Sequence, residues 1–381
     1  MSQVSVKTRQ ADLKKLALAA RDKQAAYGPD LDLETFGVGT SQGDRVEALT
    51  DLPDRLREVS LLAGFQTGEE KRSASYFQQG EDILYDRVKE IYRGKVEVMQ
   101  IETAFERYDW LWDYWWRTVD VDADKYTAWT ALYQKGGYFM RILRGQQVEL
   151  PIQACLLMSE ADTSQRVHNI VIAEEDSKAE IISGCSTAQK VSSGLHLGVS
   201  EFYIRKGAEL SFTMVHNWGE GFHVRPRTGI YIGENGSFIS NYIVLRPLAS
   251  LQTNPRAVLH GPGSRVRFNS IIHGREKSIL DVGSVIELQA EGSRGESISR
   301  AAVSDEAEVT MRGLLKADTD KTRGHLSCSG LLLSRNALVD ALPQLAVSGA
   351  PEADLAHEAS IGPVDEEAVQ YLMSRGLVRE E

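Results

Sequence analysis

One phrase recurs from about Gly136 to Val347: a turn residue, then a run in which apolar and polar side chains alternate. It reads Gly207-Ala-Glu-Leu-Ser-Phe-Thr-Met-Val, Gly236-Ser-Phe-Ile-Ser-Asn-Tyr-Ile-Val-Leu, Gly263-Ser-Arg-Val-Arg-Phe-Asn-Ser-Ile-Ile and Glu306-Ala-Glu-Val-Thr-Met-Arg-Gly-Leu-Leu. Period-two alternation marks strands with one buried and one wet face. The turn glycines Gly207, Gly236, Gly263 and Gly292 stand 29, 27 and 29 residues apart. So even a period, without helical interludes, predicts the stacked coils of a β-solenoid. A sandwich of hairpins is the competitor, but Asn235-Gly236 is the single two-residue hairpin signal linking these strands. The fold class is therefore read as mainly β: a β-helix core over 136–347, a helical N-terminal domain over 1–135 and a helical C-terminal segment over 348–381.

Helical signals frame the repeats. Leu13, Leu16 and Leu18 sit among Lys, Arg and Gln up to a stop at Gly28-Pro29, after which 30–50 reads as a loop. A second helix is expected from Asp51-Leu-Pro-Asp, with Pro53 in its first turn, a stripe of Leu56, Val59, Leu62 and Ala63, and Gly64 beyond its end. A third helix or mixed segment is expected over 82–92. The run Tyr108-Asp-Trp-Leu-Trp-Asp-Tyr-Trp-Trp-Arg holds four of the six tryptophans and is read as a helix that caps the open end of the solenoid. Val364 to Gly376 reads as a helix with acidic residues in its first turn. The five residues after Gly376 suggest a shortened C-terminus.

A net charge of −11 argues against a nucleic-acid surface, which needs clustered Lys and Arg. No apolar run approaches the ~20 residues that span a bilayer, and the N-terminal residues lack the apolar core of a signal peptide. A cytoplasmic protein is expected. The three cysteines, Cys155, Cys185 and Cys328, form neither a CxxC pair nor a zinc-finger spacing.

Two stretches carry candidate chemistry, Gly324-His-Leu-Ser-Cys328-Ser-Gly-Leu-Leu-Leu and Leu355-Ala-His357-Glu358-Ala-Ser-Ile-Gly. Both flank the last strands, so the thiol, imidazole and carboxylate of Cys328, His357 and Glu358 are expected at one edge of the solenoid. These are ligand types for iron, zinc and copper. A cubane cluster takes four ligands, and a second chain would complete the set. Cys185 ends an alternating strand. His216 and Trp218 share one face of another strand, pointing together inward or outward. Inward, they need hydrogen bonds or a channel to line.

From about Tyr126-Thr-Ala-Trp to Glu381 the chain resembles the SufB/SufD scaffold family of the SUF iron–sulfur cluster assembly system. The matching phrases, in order, include Gly136-Gly-Tyr-Phe, Val148-Glu-Leu-Pro, Ser183-Gly-Cys-Ser, Val215-His-Asn-Trp, Met311-Arg-Gly-Leu-Leu-Lys, Cys328-Ser-Gly-Leu-Leu-Leu and His357-Glu-Ala-Ser-Ile-Gly. The N-terminal third matches more loosely, through Glu69-Glu-Lys-Arg-Ser-Ala-Ser-Tyr-Phe-Gln.

The resemblance implies β-helices that pair into a dimer, either with themselves or with a SufB/SufD paralogue. It implies an ABC ATPase docked on the C-terminal helices and a cysteine-desulfurase-type sulfur donor. Cys185 would then be the sulfur entry point, His216 and Trp218 would line a channel, and Cys328, His357 and Glu358 would hold a nascent iron–sulfur cluster. No sequence feature supports a flavin. The chain departs from SufB patterns at Ala356, where an additional carboxylate is common, and at His216, where Gln is common. It also ends about one helix pair early. This mixture suggests a short member working as a homodimer. A phosphate loop of the GxxxxGK[ST] type is missing, so the chain is read as a scaffold and not an enzyme. The alternatives are a SufD-like partner subunit that ligates nothing, or a β-helix carbohydrate-active enzyme, which needs clustered acidic or basic side chains on the outer face and usually an export signal.

Overall fold

The repeated turn brings the chain back on itself about every 29 residues, and successive strands pair in parallel and in register. In the computed structural model, which describes residues 3–39, 43–188, 190–363 and 365–378, Glu209–Asn217 pairs with Lys178–Thr187 on one side and Ser237–Val244 on the other. The same pairing continues through Arg265–Gly274, Arg294–Val303 and Arg323–Leu332 to Asp354–Pro363. Each coil contributes to two sheets, one of ten strands and one of thirteen, in a β-solenoid of about eight turns. The protein is thus mainly β, with helical segments at both ends.

The turn explains the period. Asp176, Gly207, Asn235, Gly263, Gly292 and Lys321 all have φ between 53° and 73°. Each stands two residues before a strand of the ten-stranded sheet, at 178, 209, 237, 265, 294 and 323. Glycine takes this left-handed region freely and Asn or Asp tolerate it. The spacing rule therefore has one correction: Gly236 lies one residue past the left-handed position, which Asn235 fills.

Alternation decides which side chains enter the core. Ile181, Leu210, Phe212, Phe238, Val266, Phe268 and Leu326 point inward and are buried. Each such side chain is worth roughly 1.5–3 kcal/mol when removed from water. Outward neighbours such as Lys178, Glu209, Arg265 and Arg294 stay exposed.

The N-terminal residues form α1 (Gln3–Ala19), α2 (Asp54–Leu62), α3 (Ile101–Arg107) and α4 (Lys125–Tyr133). They also supply strands. The segment 82–92, expected as a helix or mixed, is a strand at Asp82–Val88 followed by a short 3-10 turn. That strand pairs antiparallel with Ala74–Gln79, which in turn extends the ten-stranded sheet through Ile152–Met158. An available sheet edge outweighs the weak helical spacing there. The strands also run past Val347, where the alternation was expected to end, through Asp354–Pro363. Beyond them lies α5 (Glu366–Ser374); the expected helix start at Val364 falls outside the described residues.

The tryptophan-rich run is not a regular helix, and it does not cap the open end. It makes a 3-10 turn at Asp109–Asp113 and then folds flat onto the outer face of the thirteen-stranded sheet, against Phe139, Ile170, Ile172 and Tyr203. Glu201, fully buried on that face, holds it down. Its carboxylate accepts from the backbone N–H groups of Trp116, Arg117 and Thr118, from the Thr118 hydroxyl and from Tyr203. His168 Nε2 lies 2.9 Å from the same carboxylate, and its ring stacks on Trp115 at 3.7 Å.

Packing of α2 sets a tight contact. A Cβ at Gly184 would lie 2.3 Å from the Ala63 carbonyl oxygen at the end of this helix. Gly184→Ala is expected to cost about 1–3 kcal/mol and to loosen α2. Thermal unfolding with limited proteolysis around Leu61 and Leu62 would show it; an unchanged melting temperature and cleavage pattern would contradict the contact. Among the described residues, no helix is long and apolar enough to cross a membrane.

Candidate functional site

The last two strands of the ten-stranded sheet, Arg323–Leu332 and Asp354–Pro363, place the candidate ligands. Parallel partners point to the same side of the sheet, and alternate residues switch sides. Leu326 is opposite His357, Ser327 is opposite Glu358, and Cys328 is opposite Ala359. Leu326 and Cys328 face the solenoid interior, and Cys328 is 4% exposed. His357 follows Leu326 to that inner side. It sits one strand and two residues from Cys328, about 8 Å between Cα atoms from ordinary sheet spacings. Its Nε2 is buried and without a hydrogen-bond partner.

Glu358 goes the other way. Its carboxylate accepts from the Ser327 hydroxyl at 3.0 Å and lies 4.0 Å from His325 Nε2. Arg300 also donates to Ser327, at 3.0 Å. The expected convergence of thiol, imidazole and carboxylate is therefore split within one chain: Cys328 and His357 on the inner side, Glu358 on the outer. Accordingly, no group of three metal-ligating side chains forms among the described residues. Burial raises the Cys328 thiol pKa, partly offset by Arg300.

Cys185 also points inward, fully buried, with its sulfur 3.7 Å from Met214 Sδ. Burial pushes its pKa up to about 12. His216 and Trp218 share the interior as well, and Trp218 Nε1 donates to His216 Nδ1 at 2.8 Å. That bond leaves the His216 proton on Nε2, which has no partner. A narrow cavity of about 50 Å³ lies beside it, lined by Met214, His216, Tyr242 and Phe268 among others.

The pairing registers connect these sites. Ser183, one inward position before Cys185, is in register with Met214, then Tyr242, Ser270, Ser299 and finally Cys328. This inward row steps across five strand spacings, roughly 24 Å, and holds three polar side chains between two sulfur-bearing ones. Sequence reading identified neither this row nor the partners Arg300, Ser327 and His325. A signal was present: Tyr242, Ser270 and Ser299 each sit at inward positions where apolar residues are the norm.

Buried histidines give the protein a pH dependence. Burial lowers the pKa of His196 to about 4 and of His216 to about 3. Both stay neutral in the folded state, while the unfolded chain takes up protons below about pH 6.5. Stability is thus full above pH 6.5 and falls as pH drops toward 4, by roughly 1.4 kcal/mol per unit for each histidine. These two histidines should contribute a loss of about 3–4 kcal/mol between pH 7 and pH 5 in denaturant unfolding. That loss should vanish in a His196→Asn, His216→Gln double variant, leaving the smaller share of the less buried His223, whose pKa burial lowers to about 4, and that of His168. Equal stability of the parent at both values would contradict the burial.

The fold is thus a parallel β-solenoid that carries a thiol and an unpartnered imidazole on the inner side of its last coils. Residues 156–381 match the model for the SUF system FeS cluster assembly SufBD core domain. The chain is 43% identical over 375 residues to an iron-sulfur cluster assembly SufBD family protein from Methanothermobacter thermautotrophicus (strain Winter), covering 97% of this chain and 90% of that one. It is 44% identical over 328 residues to such a protein from Archaeoglobus fulgidus, covering 86% of each. A Pyrococcus horikoshii relative is 34% identical over 340 residues, covering 88% of this chain and 76% of its own. The chain belongs to the SufBD family of the SUF iron–sulfur cluster assembly system.

Proposed function

We propose that the protein is a scaffold on which an iron–sulfur cluster is assembled, with Cys328 and His357 as its ligands to the nascent cluster. The observation that carries this reading is their shared inner side at the last coils, beside a sheet edge that the described residues leave uncovered. One chain offers two donors there, and two chains offer the four that a cluster takes. The outer strand Leu338–Val347 supports pairing: Leu338, Leu342, Leu345 and Val347 are 44–52% exposed. An apolar open edge of this kind is normally covered by another chain or element. The partner proposed is a second copy; a SufB/SufD paralogue would meet the same edge.

Sulfur is proposed to enter at Cys185 and to reach Cys328 along the inward row through Tyr242, Ser270 and Ser299, with His216 and Trp218 lining the route. A thiolate is the attacking species in sulfur transfer, and Cys185 is protonated while buried. Entry from a cysteine-desulfurase-type donor therefore requires the region under α2 to open. A SUF-type ABC ATPase is the proposed source of that opening. The exposed Tyr371, Leu372, Met373, Leu377 and Val378 around α5 support an ATPase contact there. Leu372→Asp is expected to abolish co-purification with the ATPase without lowering the melting temperature; retained co-purification would remove α5 from this role.

Glu358 acts from the outer face in this reading, through Ser327 and His325. His357→Ala should lower the cluster content after anaerobic reconstitution by about tenfold, and Glu358→Ala by less. The reverse order would reassign the ligand.

A further inference from the structure

Elsewhere on this solenoid, charged side chains on neighbouring coils come in opposite pairs. Lys178 meets Glu209, Arg256 meets Glu287, Arg267 meets Glu296 and Lys321 meets Glu291, all within 3.2 Å. Such pairing is what in-register strands require, because like charges directly opposite each other repel. One row breaks the rule. Arg265, Arg294 and Arg323 are direct register partners on three successive strands, all exposed and on the outer face. None of the three side chains makes a hydrogen bond or ion pair among the described residues, in a chain whose net charge is −11.

The three guanidinium groups line a groove of about 430 Å³, with Arg267, His325 and the half-exposed Ile239 on its walls. Two strand spacings separate the first arginine from the third, about 10 Å. Of the acids at the groove, Glu296 is taken by Arg267, and Asp354 stands opposite Arg323 at the far end of the row without forming an ion pair, so the Arg265–Arg294 and Arg294–Arg323 neighbours remain like-charged. A volume of this size suits a small molecule, and guanidinium forks match phosphate and carboxylate oxygens in pairs.

We propose that the Arg265–Arg294–Arg323 row is a binding site for a small polyanion bearing two or three phosphate or carboxylate groups. The like-charge repulsion of Arg294 with Arg265 and Arg323 is relieved when the anion bridges successive coils. This inference does not rest on the cluster-binding reading, since the row lies on the face opposite Cys328 and its test involves no metal.

Calorimetric titration of the full chain in 50 mM salt tests it, with tripolyphosphate, citrate and hexaglutamate as separate probes. Tripolyphosphate or citrate should bind, and which of them binds tells phosphate from carboxylate chemistry. Arg294→Ala should weaken that binding about tenfold or more, while Arg256→Ala, remote from the groove, should leave it unchanged. Arg294→Glu should remove binding and raise the melting temperature of the ligand-free protein. Equal weakening by both alanine variants, no binding of either small anion, or binding of hexaglutamate alone would overturn the proposal. A lower melting temperature for Arg294→Glu would show that the row is not under repulsion and would count equally against it.

Discussion

Glu201→Ala is expected to destabilise the protein by about 3–5 kcal/mol, a large share of the 5–15 kcal/mol that a domain of ordinary stability has in total. Burial alone would raise the pKa of this carboxylate, but its bond to His168 and the backbone donors of the tryptophan-rich segment outweigh burial and hold it low. His168, in turn, is kept toward the neutral form by its own burial. The buried charge is thus compensated mainly by aligned N–H and O–H groups. Removing it strands three backbone N–H groups, the Thr118 hydroxyl and the His168 ring in an apolar layer, while the Tyr203 hydroxyl keeps the Tyr114 carbonyl as acceptor. Each unsatisfied donor costs about 1–3 kcal/mol. Glu201→Gln keeps the shape but turns one acceptor into a donor among donors, so it should fall between the parent and Glu201→Ala. Chemical denaturation followed by tryptophan fluorescence reads both, because Trp115 and Trp116 lie against the lock. A loss below about 1 kcal/mol for Glu201→Ala would mean that the segment is held by its aromatic contacts alone.

The second large effect concerns the site itself. Cys328→Ser should leave the fold intact, since serine fills the same space at an inward position whose row already carries Ser270 and Ser299. Cluster content after anaerobic reconstitution should nevertheless fall by about tenfold or more, because a hydroxyl is a poor replacement for a thiolate on iron. Cys155 provides the control. It is also buried, but it packs with Phe65, Phe77 and Leu157 beneath α2, away from the last coils. Cys155→Ser should not change cluster content, and Cys185→Ser should change it only when sulfur comes from a protein donor rather than from free sulfide. Unaltered reconstitution in Cys328→Ser would favour the SufD-like reading, in which this chain is a non-ligating partner subunit.

What could be read without coordinates was what local chemistry encodes. Alternation and the turn period carried the solenoid, because a left-handed residue two places before each strand leaves a mark at Gly207, Gly263 and Gly292. The mark is faint where Asp176, Asn235 and Lys321 do the same work. The tryptophan-rich run misled because its fixing partner, Glu201, lies more than eighty residues away, and a helix-like string of aromatics says nothing about that. Strand Asp354–Pro363 was missed because it is an edge: exposed on its outer side, it shows no clean alternation. The residue types of the candidate site were legible, but their sidedness was not. Once a strand runs through His357 and Glu358, adjacency in sequence means opposite faces in space, and so the pair cannot act as one bidentate unit on the Cys328 side.

The central claim is that two copies of this chain meet at the last coils and share one cluster between their Cys328 and His357 side chains. Native mass spectrometry of the anaerobically reconstituted protein, kept under conditions that preserve non-covalent assemblies, addresses it in one spectrum. The account predicts a dimer carrying a single cluster, with Cys328→Ser yielding a cluster-free chain. A monomer that retains a full cluster by itself, or a dimer whose cluster survives Cys328→Ser, would contradict it.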